Sequence, residues 1–401
     1  MTTARVKYLA AVKRLAAVET SRKASNQHEL NGSGALRELL GAESVKSQPA
    51  TWLRLSDEGD PLLEQTMYSW YDSRRDDDTR SAEWRLYYTG DPPIQEGDLL
   101  VCLKRKGDSQ LALIVAPLGS TWETQLIAMF GEPDPRAGTF SIVQIETVPP
   151  LFAEVAYQLF AALGWNERTV EPQPKDLELV LAKFGGSFPQ TREFSLFARS
   201  LVETSTEDPD GTLLLWWRRE EALFRALEEH GLSARLASAR PFKGVDDFIA
   251  CSLSVQNRRK SRAGHALENH VAALLDLKRL RYERNPVTEG ARRPDFILPG
   301  AREYQDDKFP LGLLTTLAAK TTCKDRWRQV LNEAAKLPTK HLLTLEPAIS
   351  TQQLSEMHEE GVRLIVPQEM LSTYKPPSGM ALLTVGEFLE EAQGRQDRMP
   401  R

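Results

Sequence analysis

The sequence predicts an α+β chain of two domains, a β-rich N-terminal part followed by an α/β part. Three features point there. Short apolar-alternating runs punctuated by Gly, Pro and Asp fill the first third, strand-like runs and helical periods alternate in the last third, and the proline-bearing stretch VEPQPKD (Val170–Asp176) lies between them. At 401 residues the chain can hold two or three separate cores. The expected boundaries are 1–169 for the first domain, 170–176 for a linker and 177–401 for the second domain.

Taken in order, MTTARVKYLAAVKRL reads as a short amphipathic helix, and SGALRELLG as a helix ending at the C′ glycine Gly41. TWLRLS, EWRLYY, DLLVCLKRK and QLALIVAP read as strands, with KGDSQ as a hairpin turn between the last two. So many short strands favour a barrel or pseudobarrel over an open sheet. After the linker, FSLFARSLVE and LLLWWRREEALFRALEEHG are helical by period. A long helix is expected from about Ala263 to Leu280, followed by strands RPDFILP and TTLAAKTT. Helix DRWRQVLNEAAKL, strand HLLTL, helix SEMHEEG and strand RLIVP complete the series. Such alternation predicts an α/β sheet covered on both faces.

An apolar share of 41% and a charged share of 27% are ordinary for a globular protein. No apolar run approaches the ~20 residues of a membrane span, and the start lacks the apolar block of a signal peptide. Cys102, Cys251 and Cys323 are odd in number and far apart, which supports neither a disulfide framework nor a zinc cluster. The expected setting is a reducing cytoplasm, with no membrane partner. Net charge is −5, yet Gln256 to Asp295 holds ten Lys and Arg against five Asp and Glu. A patch of that kind is either a solvated helix face or a surface for anions.

Four titratable residues fall at telling places. Asp295 follows Pro294 at the start of an apolar strand, Lys320 lies in the next strand, Glu333 on the following helix, and Glu268 on the helix before Asp295. A magnesium ion takes one or two carboxylates plus water and substrate phosphate, and a lysine beside it can orient the attacking water and offset transition-state charge. These are the parts for metal-assisted phosphodiester hydrolysis. Each also has a plain structural reading: Asp295 capping a turn, Lys320 snorkelling, Glu333 on a solvated face. Ala318 stands two before Lys320, where the common nuclease pattern has an acid.

The stretches VQNRRKSRAGHALENHV, TEGARRPDFILPGA and LAAKTTCKDRWRQVLNEAAKL, continued by HLLTLEPAIS and GVRLIVP, closely resemble the catalytic domain of the EcoRII type II restriction endonucleases, from about Asp208 onward. That resemblance implies an α/β/α core of the PD-(D/E)xK type. It also implies that a glutamate on the following helix, here Glu333, replaces the missing acid. Asp295 and Glu333 would hold Mg²⁺, Lys320 would be the catalytic lysine, and Glu268 the upstream helical carboxylate contributing to the metal site. Arg259 and Arg262 match the segment that reads outer base pairs just ahead of the Glu268 helix. Arginine bidentate to guanine is the commonest specific base contact. Arg258, Lys260, Lys324, Arg326 and Arg328 would reach phosphates or place the loop.

SNQHELNGSGALRELLG and SRRDDDTRSAEWRLYY resemble, more loosely, the two DNA-contacting arms of the effector domain in these enzymes, a pseudobarrel, over residues 5–150. Asn26, Gln27, His28 and Asn31 form one polar cluster, and Arg80, Ser81, Glu83 and Arg85 the other, with Trp84 between. Without the resemblance, a capping turn and an exposed strand face account for them. His28 lacks a partner at metal-ligand spacing. The implied protein is a homodimeric, Mg²⁺-dependent type IIE endonuclease, paired through its catalytic domain, acting on double-stranded DNA at a CCWGG-like site. Its N-terminal domain would bind a second site and relieve autoinhibition, and a cognate methyltransferase would protect the host. The rival readings are a non-cleaving DNA-binding regulator with a degenerate nuclease fold, and a protein-binding module.

Overall fold

The computed structural model describes residues 8–20, 29–75, 79–135, 139–146, 148, 150–165, 175–238, 242–323 and 326–399. The chain is mixed α and β and divides into two compact units, 1–169 with 347–352 and 170–346 with 353–401. Among the described residues no helix is long and apolar enough to cross a membrane.

The first unit is built on β1 (Tyr8–Arg14), α1 (Ala17–Thr20), β2 (Glu29–Asn31), α2 (Gly34–Leu40), β3 (Val45–Arg54), β4 (Leu62–Asp72), β5 (Trp84–Tyr88), β6 (Leu99–Arg105), β7 (Leu111–Ala116), α3 (Thr121–Phe130), β8 (Ser141–Ile145) and α4 (Ala153–Ala162). Eight strands form one curled sheet in the order β2-β5-β4-β3-β7-β6-β1-β8. One face packs Val12, Leu53, Val101 and Ile114 against Trp122, Leu126 and Phe130 of α3 and Leu159 and Phe160 of α4. The other face gathers Leu30, Trp52, Trp70, Leu86 and Leu113 around Leu36, Leu39 and Leu40 of α2. Helix α2 reaches both sides of the curl. Trp70 Nε1 on β4 donates to Gly41 O at 3.0 Å, and Gln144 Nε2 on β8 donates to Glu38 Oε1 at 2.9 Å. Ser33 caps the helix through Leu36 N, and Gly41 ends it at φ 98°, a backbone angle that favours glycine.

The segment expected as an N-terminal amphipathic helix is instead strand β1, hydrogen-bonded to β6 and β8. Ala10, Ala11 and Val12 are all fully buried, so both faces are covered. A near-continuous apolar run suits such a strand, and periodicity alone does not separate it from a buried helix. Lys13 is buried there because its ammonium pairs with Glu19 at 2.5 Å. Strands β4 and β8 also went unread in the sequence.

The second unit opens with helices α5 (Asp176–Phe184), α6 (Thr191–Ser200), α7 (Pro209–Leu236) and α8 (Val245–Leu277). Val180, Phe194, Ala198, Leu223, Phe224 and Leu227 form their common core. Next come β9 (Glu283–Arg284), β10 (Phe296–Leu298), α9 (Ala301–Gln305), β11 (Thr315–Lys320), α10 (Trp327–Leu331), β12 (Lys340–Thr344), α11 (Thr351–Glu359), β13 (Val362–Ile365) and α12 (Val385–Asp397). The sheet order is β13-β12-β11-β10-β9. Strands β11, β12 and β13 are parallel, while β10 runs antiparallel to both β11 and β9. The sheet is therefore mixed, because a short connection through α9 turns the chain back instead of crossing over.

Two expected helices differ in extent. α8 begins at Val245, not near Ala263, so the NRRK run (Asn257–Lys260) lies within the helix and not on a loop ahead of it. No proline or glycine interrupts 245–263, and Gly264 passes mid-helix with open space where a Cβ would stand. α10 is cut to five residues, so Glu333 follows its end instead of riding on it, next to Ala334 at φ 49°.

Candidate active site

The end of the second sheet where β11 finishes and β10 starts collects the charged groups. Asp295 immediately precedes β10, Lys320 is the last residue of β11, and the antiparallel pairing Phe296↔Leu317 sets them side by side. Asp295 is only 6% exposed. Its Oδ2 accepts from Ala319 N at 2.8 Å and from Lys320 Nζ at 2.8 Å. The backbone N–H fixes the carboxylate's direction and the ammonium offsets its charge.

Glu268 and Glu333 complete the group. Burial, then the neighbouring Asp295 carboxylate, hold the Glu268 carboxyl above its usual range, against the pull of His265, Arg284 and Lys320. Glu333 is pushed up to about 7 by burial and then by Asp295, with Lys320 opposing. Both glutamates therefore feel the same two charges, as expected when like charges share a poorly solvated locus. Oε2 of Glu333 is buried without a hydrogen-bond partner. Among the described residues no three His, Cys, Asp or Glu stand together as a ready-made metal cage. Magnesium needs fewer, one or two carboxylates with water and phosphate oxygens filling the rest. An orphaned carboxylate oxygen amid surplus negative charge fits a small divalent cation.

The arginines expected to read bases are held by α7. Arg259 Nε donates to both oxygens of Glu228 at 2.9 and 2.7 Å. Arg262 is 7% exposed, with Glu221 in contact, Glu220 at 3.5 Å and the Phe224 ring 4.3 Å beneath its guanidinium. A base contact from Arg262 requires leaving this pocket. Arg258 stacks over Phe188 at 4.2 Å. Arg326 and Arg328 are exposed, and Arg328 pairs with Glu356 at 2.6 Å. Lys324 and the side chain of Lys260 lie outside the described residues.

In the first unit, Asn26, Gln27 and His28 also lie outside the described residues. Of the remaining members of the two polar clusters, Asn31 and Arg85 meet across β2 and β5. Asn31 is paired with Arg85 in register, and Arg85 Nη1 donates to Asn31 Oδ1 at 2.7 Å. Glu83 contacts Arg85 and lies 2.5 Å from Arg74. Arg80 and Ser81 are exposed. Trp84, between Glu83 and Arg85 in the chain, stacks on Trp70, ring centres 5.0 Å apart.

Sequence reading missed Arg284 and Asn269, which touch Glu268 or its neighbour, and the α7 glutamates that hold the arginines. RREEALFRALEEHG signals only a charged helix face, and a lone arginine ahead of Asn-Pro carries no signal.

Residues 224–389 match the family model described as EcoRII C terminal. The type II restriction enzyme EcoRII of Escherichia coli is 42% identical over 260 residues, 64% of this chain and 62% of that enzyme. The type II restriction enzyme SsoII of Shigella sonnei is 22% identical over 179 residues, 39% of this chain and 56% of that enzyme. The match thus spans less than two thirds of either relative. Among solved structures, a restriction endonuclease PspGI–substrate DNA complex covers 53% of this chain and 95% of its own at 15% identity and a TM-score of 0.43. Metal-depleted Ecl18kI with uncleaved, modified DNA covers 58% and 88% at 17% identity and a TM-score of 0.44.

Proposed function

We propose that this chain, EcoRII-like through residues 224–389, is a type II restriction endonuclease that hydrolyses phosphodiesters of double-stranded DNA at a specific site. The observation that carries the reading is the Asp295–Lys320 contact at one sheet end, with an orphaned oxygen on Glu333 and with Glu268 and Glu333 both near enough for the Asp295 charge to raise their carboxyls. Asp295 and Glu333 would hold Mg²⁺, with Glu268 the third carboxylate contributing to the metal site from the α8 side; when bound the ion supplies Lewis-acid polarisation of the phosphate and a more acidic water. Lys320, held by Asp295, directs its ammonium where negative charge builds on the phosphate, and in that place also orients the attacking water. The Ala319 N–H keeps Asp295 aimed, so little reorganisation is needed as the reaction proceeds. Arg259 would supply base contacts, and the exposed Arg326 and Arg328 would meet phosphates.

The finer reading is a homodimer through the second unit, cutting a CCWGG-like site, with a methyltransferase protecting the host. The first unit would serve as a pseudobarrel effector domain that binds a second site and relieves autoinhibition, with Asn31, Glu83 and Arg85 at its DNA-facing edge. Plasmid DNA incubated with the protein and Mg²⁺, with the product ends sequenced, tests the proposal. Ends falling within one short motif are expected. Random nicking, or specific binding without cutting, refutes it, and the latter outcome is the signature of a regulator.

A further inference from the structure

We infer that Arg284, anchored by Asn269, is a positioning residue that holds the Glu268 carboxylate in the active site; this rests on the nuclease reading above. Four carboxylate-site groups meet there, and the only ammonium among them is committed: Lys320 Nζ is 2.8 Å from Asp295. Glu268 therefore faces Asp295 without a share of that hydrogen bond. The cation given to it is Arg284 of β9, whose Nη2 lies 3.4 Å from Glu268 Oε2.

The other arm of the same guanidinium makes the contact that gives this geometry its purpose. Arg284 Nη1 donates to Asn269 Oδ1 at 3.0 Å. Asn269 is 7% exposed, and its amide direction is settled by what lies behind it. The Ser195 hydroxyl donates to Thr191 O at 2.9 Å, so its oxygen is left to accept from Asn269 Nδ2 at 3.1 Å. The Asn269 oxygen is thereby turned toward Arg284. Phe296, paired with Arg284 across β9 and β10, places its ring 5.7 Å from the guanidinium. A planar fork fixed on one side by a neutral acceptor can present its second arm to a carboxylate in one place only, which a flexible ammonium cannot do. Glu268 is otherwise loosely held: His265, three residues earlier on the same helix, stands 3.8 Å from its Oε1 and is itself largely exposed.

The consequence is that Arg284 acts on the reaction through Glu268, without contacting substrate. Partners that orient a metal-site carboxylate typically matter by about 10–100-fold in activity or metal affinity. The experiment uses the full chain, a cognate duplex, and Arg284→Ala, Arg284→Lys, Asn269→Asp and the Arg284→Ala/Asn269→Asp double variant. Asn269→Asp keeps the shape but draws the guanidinium away from Glu268. Arg284→Ala and Asn269→Asp are each expected to lower kcat by about 10–100-fold, with KM and duplex binding in Ca²⁺ unchanged. Arg284→Lys should recover part of the loss, and the double variant should be no worse than Arg284→Ala. A raised KM with kcat unchanged would mean a phosphate contact and would overturn the proposal, as would losses that multiply in the double variant. Calorimetric titration with Mn²⁺ in the absence of DNA separates this from the nuclease reading. Both single variants should shift Mn²⁺ affinity in the same direction, with no further shift in the double variant, and an unchanged affinity in Arg284→Ala overturns the proposal. A wild-type chain that binds Mn²⁺ but does not cut refutes the nuclease reading, while the Mn²⁺ series still decides the role of Arg284.

Discussion

Replacing Glu333 with glutamine should make the metal-free protein more stable at pH 8 while abolishing cleavage. The carboxyl of Glu333 is raised from 4.5 to about 7 by burial and by Asp295, and one of its oxygens has no partner. Between those two values the folded chain keeps a proton that the unfolded chain has lost. Stability therefore falls as pH rises through that window, is unaffected by this group below about 4.5, and is flat again above about 7. The full shift would be worth about 3 kcal/mol at 1.36 kcal/mol per unit; partial exposure screens it to about 1–3 kcal/mol. For a unit of this size that is a melting shift of about 2–10 °C. Thermal melts in EDTA from pH 5 to 8 provide the assay. The wild-type chain and Glu333→Gln should lie closest at pH 5, near the foot of the window, and diverge by pH 8, with the glutamine variant higher. A gap that does not change with pH, or a variant that melts lower at pH 8, would refute the electrostatic account. The physical point is that the site carries charge repulsion in the folded state for the sake of binding a cation, a common trade at functional sites.

Asp295→Ala and Lys320→Ala should each abolish Mg²⁺-dependent cleavage yet retain specific duplex binding in Ca²⁺, since their interactions act on the transition state; wild-type cutting by either variant sinks the assignment. Arg259→Ala should cost ~1–3 kcal/mol of discrimination between cognate and altered duplexes and also lower the melting temperature, because the buried Glu228 loses its bidentate partner; equal loss on random DNA would exclude base reading. Arg262→Ala should lower stability by about 3 kcal/mol, because Glu220 and Glu221 lose a buried partner; an unchanged melting temperature would show that pocket to be unimportant. Removing the chain up to Pro174 should speed cleavage of single-site plasmid if the first unit is autoinhibitory, and a slower fragment together with a full chain indifferent to added site duplex rules that out.

Local chemistry made much of this fold legible. Ser33 and Gly41 bracket α2 because a hydroxyl cap and a left-handed stop act within a single turn. Runs such as LALIVA and HLLT became β7 and most of β12 because short β-branched and leucine-rich stretches bounded by turn residues have few alternatives. The adjacency of Asp295 and Lys320 was readable for a similar reason, since a residue at a strand's start and one at the next strand's end are brought together whenever those strands pair antiparallel.

What remained depended on partners distant in sequence. YLAAVKR could have been a helix by its own pattern, and it is a strand because β6 and β8 offer hydrogen bonds on both edges. The arginines of NRRKSR look equally available along the sequence; Arg262 is buried while Arg258 and Arg259 are half-buried because α7 places Glu220, Glu221 and Phe224 against that one position of α8. Glu333 gained its orphaned oxygen when α10 stopped at Leu331, and Arg284 gained a role when β9 brought it against Glu268 and Asn269. Periodicity and capping are set by neighbours a few residues away, so the sequence alone determined where most helices and strands lie. Which charges are buried, which are paired and which are left unmatched is set by desolvation among elements far apart in the chain, and only the tertiary structure decided that.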